Sequence, residues 1–374
     1  MCLIGLLRTL QAQDKIEIKT IDGIPHVLNP AKPLKGTVQL EVEKVLTINP
    51  YDQPDVALKN YSVLRREDGA VILYDPSDAE AHRFGPRGDY LGPLAKKGQG
   101  PGEFSPQTVF TPFYLGDRIF VSGAMKLAEF DKDGKYLREQ KLKDRPSILI
   151  DDTHFLCDRT DWNKERTEMT KTLTLVRITK ESLSDVRVLD LLQKANIGQI
   201  MNKSGRGGLV DPWGTPNLCF AFDRAAKKVY AAVNSEYRIY VKNLKGETLS
   251  IIEKTHENVK VSRKDVETMF GNLVKNDTFK WILDAYPDRL VAMNDIQPLA
   301  SGWILVRRVS GPRETEIDAF DAEGKYIYVL KLPGGLSPER VKFHDRGYSL
   351  TETKDEFQIY FDYRVKNLPE VFGK

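Results

Sequence analysis

Hydrophobic and polar positions alternate with period two through most of this chain, in short runs broken by turn-forming residues. The clearest runs are Thr172-Leu173-Thr174-Leu175-Val176-Arg177-Ile178, Lys228-Val229-Tyr230-Ala231-Ala232-Val233, Tyr237-Arg238-Ile239-Tyr240-Val241, Trp303-Ile304-Leu305-Val306 and Phe357-Gln358-Ile359-Tyr360-Phe361. Such runs, rich in β-branched and aromatic residues, predict strands that bury at least one face. The turns between them recur as well. Phe130-Asp131-Lys132-Asp133-Gly134-Lys135-Tyr136 and Phe320-Asp321-Ala322-Glu323-Gly324-Lys325-Tyr326 share one plan, with looser copies at Phe84–Leu91 and Val241–Leu249. Asp opens a tight turn, and Gly takes the positive φ that a Cβ disfavours.

A β-rich unit repeating every 40–50 residues or so is the pattern of a propeller blade. Six units are predicted, at about 61–95, 108–142, 147–191, 217–253, 291–332 and 339–364. The last has three strands, and the alternating run Val38–Ile48 has no blade of its own. Placing it as the fourth strand of the last blade closes the ring and removes an open sheet edge. The predicted fold class is all-β, a six-bladed propeller of four-stranded antiparallel blades. Residues 38–374 form that single domain, behind an extension at 14–37.

The glycine-rich stretch Gly98-Gln99-Gly100-Pro101-Gly102-Glu103-Phe104 falls between the first two blades. It is read as a crossing, with Phe104 plugging the gap between blades. Helical periodicity is confined to an insertion at about 262–285, before the fifth blade. There Ser262 caps a helix in which Val266, Met269, Phe270 and Leu273 fall on one face. A second short helix carrying Phe279, Ile282 and Leu283 follows Asp277, and the apolar stripe is expected to pack on the propeller.

Charge narrows the function classes. With 56 basic and 53 acidic residues the net charge is +3, so no dominant basic field points to nucleic acid. No apolar run is long enough for a transmembrane helix. The apolar opening Met1–Leu7, with Leu10-Gln11-Ala12-Gln13 before Asp14, resembles the end of an export signal; residues 1–13 are read as its remnant, with the start upstream. An extracytoplasmic protein is expected (periplasmic, secreted or cell-surface), and a monomer. Cys157 and Cys219 lie in strand-like apolar runs and are read as buried free thiols.

The Gly98–Phe104 loop, the Asp-x-x-Gly-Lys-Tyr turns and the opening Asp22-Gly23-Ile24-Pro25, Asn29-Pro30, Pro33-Leu34 and Gly36 together resemble bacterial six-bladed β-propellers with NHL-like repeats. The resemblance implies the fold over nearly the whole chain, and it implies export. It assigns no activity. The third blade departs from it, with Ile178-Thr179-Lys180-Glu181-Ser182 where the glycine turn is usual, and the first blade reads Phe84-Gly85 in place of Phe-Asp.

In such blades, the inter-blade loops and the loops between second and third strands share one face, which is the expected ligand site. Three segments there read as long and irregular: 158–171, 193–216 and 255–290. Arg159, Asp161, Trp162 and Lys164 form one candidate recognition loop, with Trp162 as anchor. Arg206, Asp211 and Trp213 belong to a second, glycine-rich loop that lacks the strand-to-helix context of a nucleotide site. The expected function is a non-catalytic module binding a peptide, glycan or protein, without a cofactor. The alternative is a metal-dependent hydrolase or lyase of the lactonase type, with a divalent ion such as Ca²⁺ in the channel. Asp151, Asp152, Asn217, Asn294 and Asp295 are its candidate ligands. The five histidines show no metal-ligand spacing, and no Gly-x-Ser-x-Gly elbow occurs.

Overall fold

The computed structural model describes residues 15–373, apart from 57, 59–60, 76–77, 106–109, 124, 165–167, 179–182, 195–213, 215, 277–279, 281 and 355. Six antiparallel blades form a propeller ring. The first comprises Ser62–Arg65, Val71–Asp75, Glu80–Phe84 and Tyr90–Ala95. The second comprises Thr111–Leu115, Arg118–Gly123, Lys126–Phe130 and Tyr136–Lys141, and the third Ile148–Leu149, His154–Trp162, Glu168–Ile178 and Leu183–Lys194. Leu218–Asp223, Lys228–Val233, Arg238–Lys242 and Thr248–Lys254 make the fourth, and Met293–Pro298, Ile304–Gly311, Glu314–Phe320 and Tyr326–Lys331 the fifth. Val341–His344, Gly347–Lys354 and Phe357–Val365 begin the sixth, and Val42–Ile48 completes it, antiparallel to Phe357–Val365. First strands of adjacent blades pack together around the centre.

The recurring turn does two jobs. Asp131 Oδ1 accepts from the backbone N–H groups of Asp133 and Lys135 at 3.0 and 2.8 Å, and Asp321 repeats this with Glu323 and Lys325. Gly134 and Gly324 take φ of +78° and +83°. Each also presses on the preceding blade. A Cβ at Gly134 would lie 2.6 Å from the Arg83 guanidinium, and one at Gly324 2.6 Å from Ile252. Glycine is therefore required by the seam between blades as well as by the turn.

The core is divided among the seams, as expected when each blade buries both faces against its neighbours. Ile72, Phe104, Phe110, Ile119, Val121 and Phe130 fill the first seam. Successive clusters follow round to the last, where Ile48 and Tyr360 of the sixth blade meet Val71, Leu73 and Phe84 of the first. Phe104 is fully buried, and Gly98 N–H donates to its carbonyl at 3.0 Å. The Gly98–Phe104 stretch is thus a crossing. Cys157 and Cys219 are buried free thiols.

The N-terminal segment differs from its prediction in one respect. Val38–Ile48 is not one strand. Thr37–Gln39 adds in parallel to the outer edge of the fifth blade, and only Val42–Ile48 closes the sixth. Upstream, a hairpin of Glu17–Ile21 and Ile24–Asn29 adds in parallel to the outer edge of the fourth blade. Asn29 staples it: Nδ2 donates to the Gly324 carbonyl at 2.9 Å, and Oδ1 accepts from Tyr326 N–H at 2.8 Å. Residues 17–48 therefore form a belt across three blades. In the insertion, Arg263–Phe270 is helical behind a Ser262–Asp265 capping box, and Ile282–Ala285 forms a second short helix. Val266, Met269, Val274 and Ile282 make its small core, and Val261 and Tyr286 join that core to Leu290, Val291 and Val309. The Phe279 position lies outside the described residues.

Candidate functional site

Every first strand starts on the same face, so that face also carries the inter-blade connections and the turns between second and third strands. Over blades three to five it is built up. The second to fourth strands of the third blade have 9, 11 and 12 residues, against five to eight for the second strands of the other blades. At about 3.3 Å per residue, the surplus makes a β-tongue overhanging by roughly 15 Å. The segment 158–171, expected to be irregular, is instead regular sheet up to the hairpin tip, with Arg159 opposite Thr172 and Trp162 opposite Met169.

The tongue sorts the candidate residues. Arg159 is committed to two carboxylates: Nη2 to Asp144 at 2.6 Å and Nη1 to Asp185 at 2.7 Å. It braces the base of the tongue. Trp162, at the tip, is 43 % exposed beside exposed Asp161 and Lys164. Arg206, Asp211 and Trp213 lie outside the described residues. At Gly214, a Cβ would sit 2.9 Å from the Tyr286 ring, so the connection into the fourth blade leans on the helical insertion.

Beneath the insertion lies a cavity of about 460 Å³, walled by Tyr237, Arg238, Glu253, Lys254, His256 and Arg289 among others. Its floor is a buried charge network. Asp318 is completely buried and accepts from Lys254 Nζ at 2.6 Å, Tyr237 Oη at 2.7 Å, Tyr326 Oη at 2.8 Å and Arg308 Nε at 3.0 Å. Burial opposes the Asp318 charge, but Lys254 and Arg308 outweigh it and hold its pKa below the usual range. Burial pushes Lys254 down to about 8. Burial, joined by the charges of Lys254 and Arg308, drives the His256 imidazole down to about 4; its Nε2 is buried with no hydrogen-bond partner. Sequence reasoning missed this network. Its one local signal is a charged residue within otherwise apolar stretches, Asp318 in Ile317–Phe320 and Lys254 after Ile251-Ile252.

Nor are the five candidate metal ligands brought to one point. Asp151 and Asp152 follow the end of a first strand, whereas Asn217 and Asn294 stand at the start of one, on the opposite face. Asp151 accepts from Thr153 and His154, Asp152 meets Arg118, and Asn217 accepts from Lys171. Asp295 lies 3.4 Å from Arg307, with burial raising its pKa against that cation. Among the described residues, no three His, Cys, Asp or Glu side chains are grouped to hold a metal ion. Among the described residues, no helix is long and apolar enough to cross a membrane.

No protein-family model matches this sequence, and no curated protein does. Solved structures do resemble it. A member of the DUF4221 family from Bacteroides vulgatus aligns over 88% of this chain and 99% of its own, at 11% identity and a TM-score of 0.50. A putative exported protein from Bacteroides fragilis aligns over 88% and 96%, at 11% identity and 0.44. Virginiamycin B lyase from Staphylococcus aureus aligns over 87% and 100%, at 10% identity and 0.41. At such identities the likeness is one of fold.

Proposed function

We propose that this chain is a non-catalytic binding propeller that meets its ligand on the built-up face. The observation that carries this reading is the β-tongue: it extends the third blade outward and ends in a half-exposed Trp162 that fills no core. A rigid element presenting an aromatic anchor is what recognition requires. Asp295, on a first strand beside the centre, supports the same reading, since it faces a cation, Arg307 at 3.4 Å. Descent from NHL-like repeats, export and a monomeric state belong to this proposal.

Two measurements test it together. Purified protein is screened against peptide and glycan arrays, with Trp162→Ala in parallel. The variant should keep the wild-type melting temperature and lose most of the captured signal. Lactone and ester hydrolysis is assayed with Ca²⁺, Mn²⁺ or Zn²⁺ added. Metal-dependent turnover that disappears in Asp295→Asn would overturn the reading in favour of a propeller hydrolase.

A further inference from the structure

Several half-buried arginines stand beside a carboxylate: Arg65 with Asp362, Arg159 with Asp144 and Asp185, Arg308 with Asp318. At the channel mouth on the built-up face four cations have no such partner among the described residues. Lys342, second in its first strand, donates to the Val63 carbonyl at 3.5 Å. Lys171 donates to Asn217 Oδ1 at 2.8 Å, just ahead of the fourth blade's first strand. Arg145 donates to Thr111 Oγ1 at 3.0 Å, where the second blade's first strand begins. Arg340, exposed at the end of the short helix Pro338–Arg340, precedes the sixth blade's first strand. Among the described residues, none of these four pairs with a carboxylate within 4 Å, and Lys342, Lys171 and Arg145 bond neutral oxygens.

Two of the four wall one cavity. The seam between the sixth and first blades opens at the mouth as a pocket of about 420 Å³, lined by Arg340 and Lys342 with the hydroxyls of Ser62, Thr351 and Thr353; Glu339 is the acid in its wall. Asp295, the acid nearest Lys342 in the channel, is engaged by Arg307 at 3.4 Å. Solvent reaches Lys342 along the channel although protein surrounds it, and this partial desolvation lowers its pKa, as it does that of Lys171. An ammonium so held, whose neighbouring carboxylate Asp295 is shared with Arg307, gains when a further anion arrives. Six-fold order also places this seam across the ring from the seam of the third and fourth blades, where the tongue stands.

We infer that the seam pocket at Arg340 and Lys342 binds an anionic group of the ligand, a carboxylate, sulfate or phosphate, with Lys171 and Arg145 extending the positive rim across the channel mouth. This rests on the binding reading above and names the chemistry of its ligand. Guanidinium and ammonium supply charge-assisted bonds, and the Ser and Thr hydroxyls satisfy the remaining oxygens.

The test uses the full chain with four probes in titration calorimetry: inorganic phosphate, sulfate, trigalacturonate and neutral maltotriose. At least one anion should bind, with an affinity that falls as salt rises; which one binds separates a phosphate source from an acidic sugar. Arg340→Gln with Lys342→Met should weaken it about a hundredfold, roughly tenfold for each charge-assisted contact removed, at unchanged melting temperature. Unchanged anion affinity in that variant, or no binding of any anion at low salt, overturns the inference. If array ligands are captured through Trp162 while the double variant captures them normally, the binding reading stands and the anion site alone fails. Metal-dependent turnover would instead remove the binding reading.

Discussion

Asp318→Asn is the most searching perturbation of the seam between the fourth and fifth blades. The substitution keeps the shape and one acceptor but removes the charge that faces Lys254, whose side chain is 2 % exposed. Removing one partner of a buried ion pair costs about 3–5 kcal/mol, because the other is left charged without water. Two features bear on where in that range the loss falls. Lys254 Nζ lies 4.2 Å from the Tyr326 ring centroid and 4.9 Å from that of Tyr237, which retains some cation–π stabilisation. Against this, the new amide can accept from the hydroxyls of Tyr237 and Tyr326 only through one oxygen, and an unmade buried hydrogen bond costs about 1–3 kcal/mol. A loss of about 4 kcal/mol is therefore expected in urea denaturation. Arg308 also reaches Glu316, so it remains paired. Lys254→Met combined with Asp318→Asn removes both charges and should recover about 2 kcal/mol relative to the sum of the single losses. A single substitution costing under about 1 kcal/mol, or a double variant equal to that sum, would refute the network as a stabilising element.

The other expectations follow from the same seams. Gly134→Val forces a Cβ to positive φ and into Arg83, which is itself held by the carbonyls of Leu91 and Lys132 at 2.8 and 3.1 Å; a loss of about 2–3 kcal/mol is expected in thermal denaturation, and Gly134→Ala should lose less. If both variants melt like wild type, the turn does not press on the neighbouring blade. His256, held down to about 4 against 6.5 ordinarily, is neutral in the folded state while the unfolded chain takes up its proton. Its contribution is therefore complete above about pH 6.5 and lost as pH falls toward about 4, a decline of roughly 2 kcal/mol after discounting for its partial exposure. Imidazole NMR titration reads it directly, and a midpoint near 6.5 would contradict the buried placement.

Much of the ring was legible because its signals are local. A period-two run and an Asp-x-x-Gly turn report on a few adjacent residues, so the strand Lys228–Val233 and the first five residues of Phe357–Val365 could be read directly. What failed was decided at long range. Thr37–Gln39 and Val42–Ile48 alternate alike, and only the closed ring determines which outer edge each one meets. The tongue was hidden for a related reason. Asp158-Arg159-Thr160-Asp161 overhangs the core, has nothing apolar to bury and so carries no hydrophobic period; the backbone ladder to Thr170–Leu173 holds it in sheet.

The candidate sites follow the same division between local and distant information. Trp162 stood out as a lone aromatic among charges, and it is exposed in the fold. Lys254 and Asp318 are 64 residues apart, and their meeting depends on neighbouring blades coming into register. Arg340 and Lys342 are ordinary basic residues in sequence; their interest comes from what surrounds them once the ring closes. Inside a seam, burial penalises a lone charge, and Asp318 meets that penalty with Lys254, Arg308 and two tyrosine hydroxyls. At the channel mouth, solvent relieves that demand, and a cation can be left with neutral neighbours at small cost to folding. That difference is why unpaired Arg340 and Lys342 point outward to a ligand, whereas the equally charged network under the insertion points inward to stability.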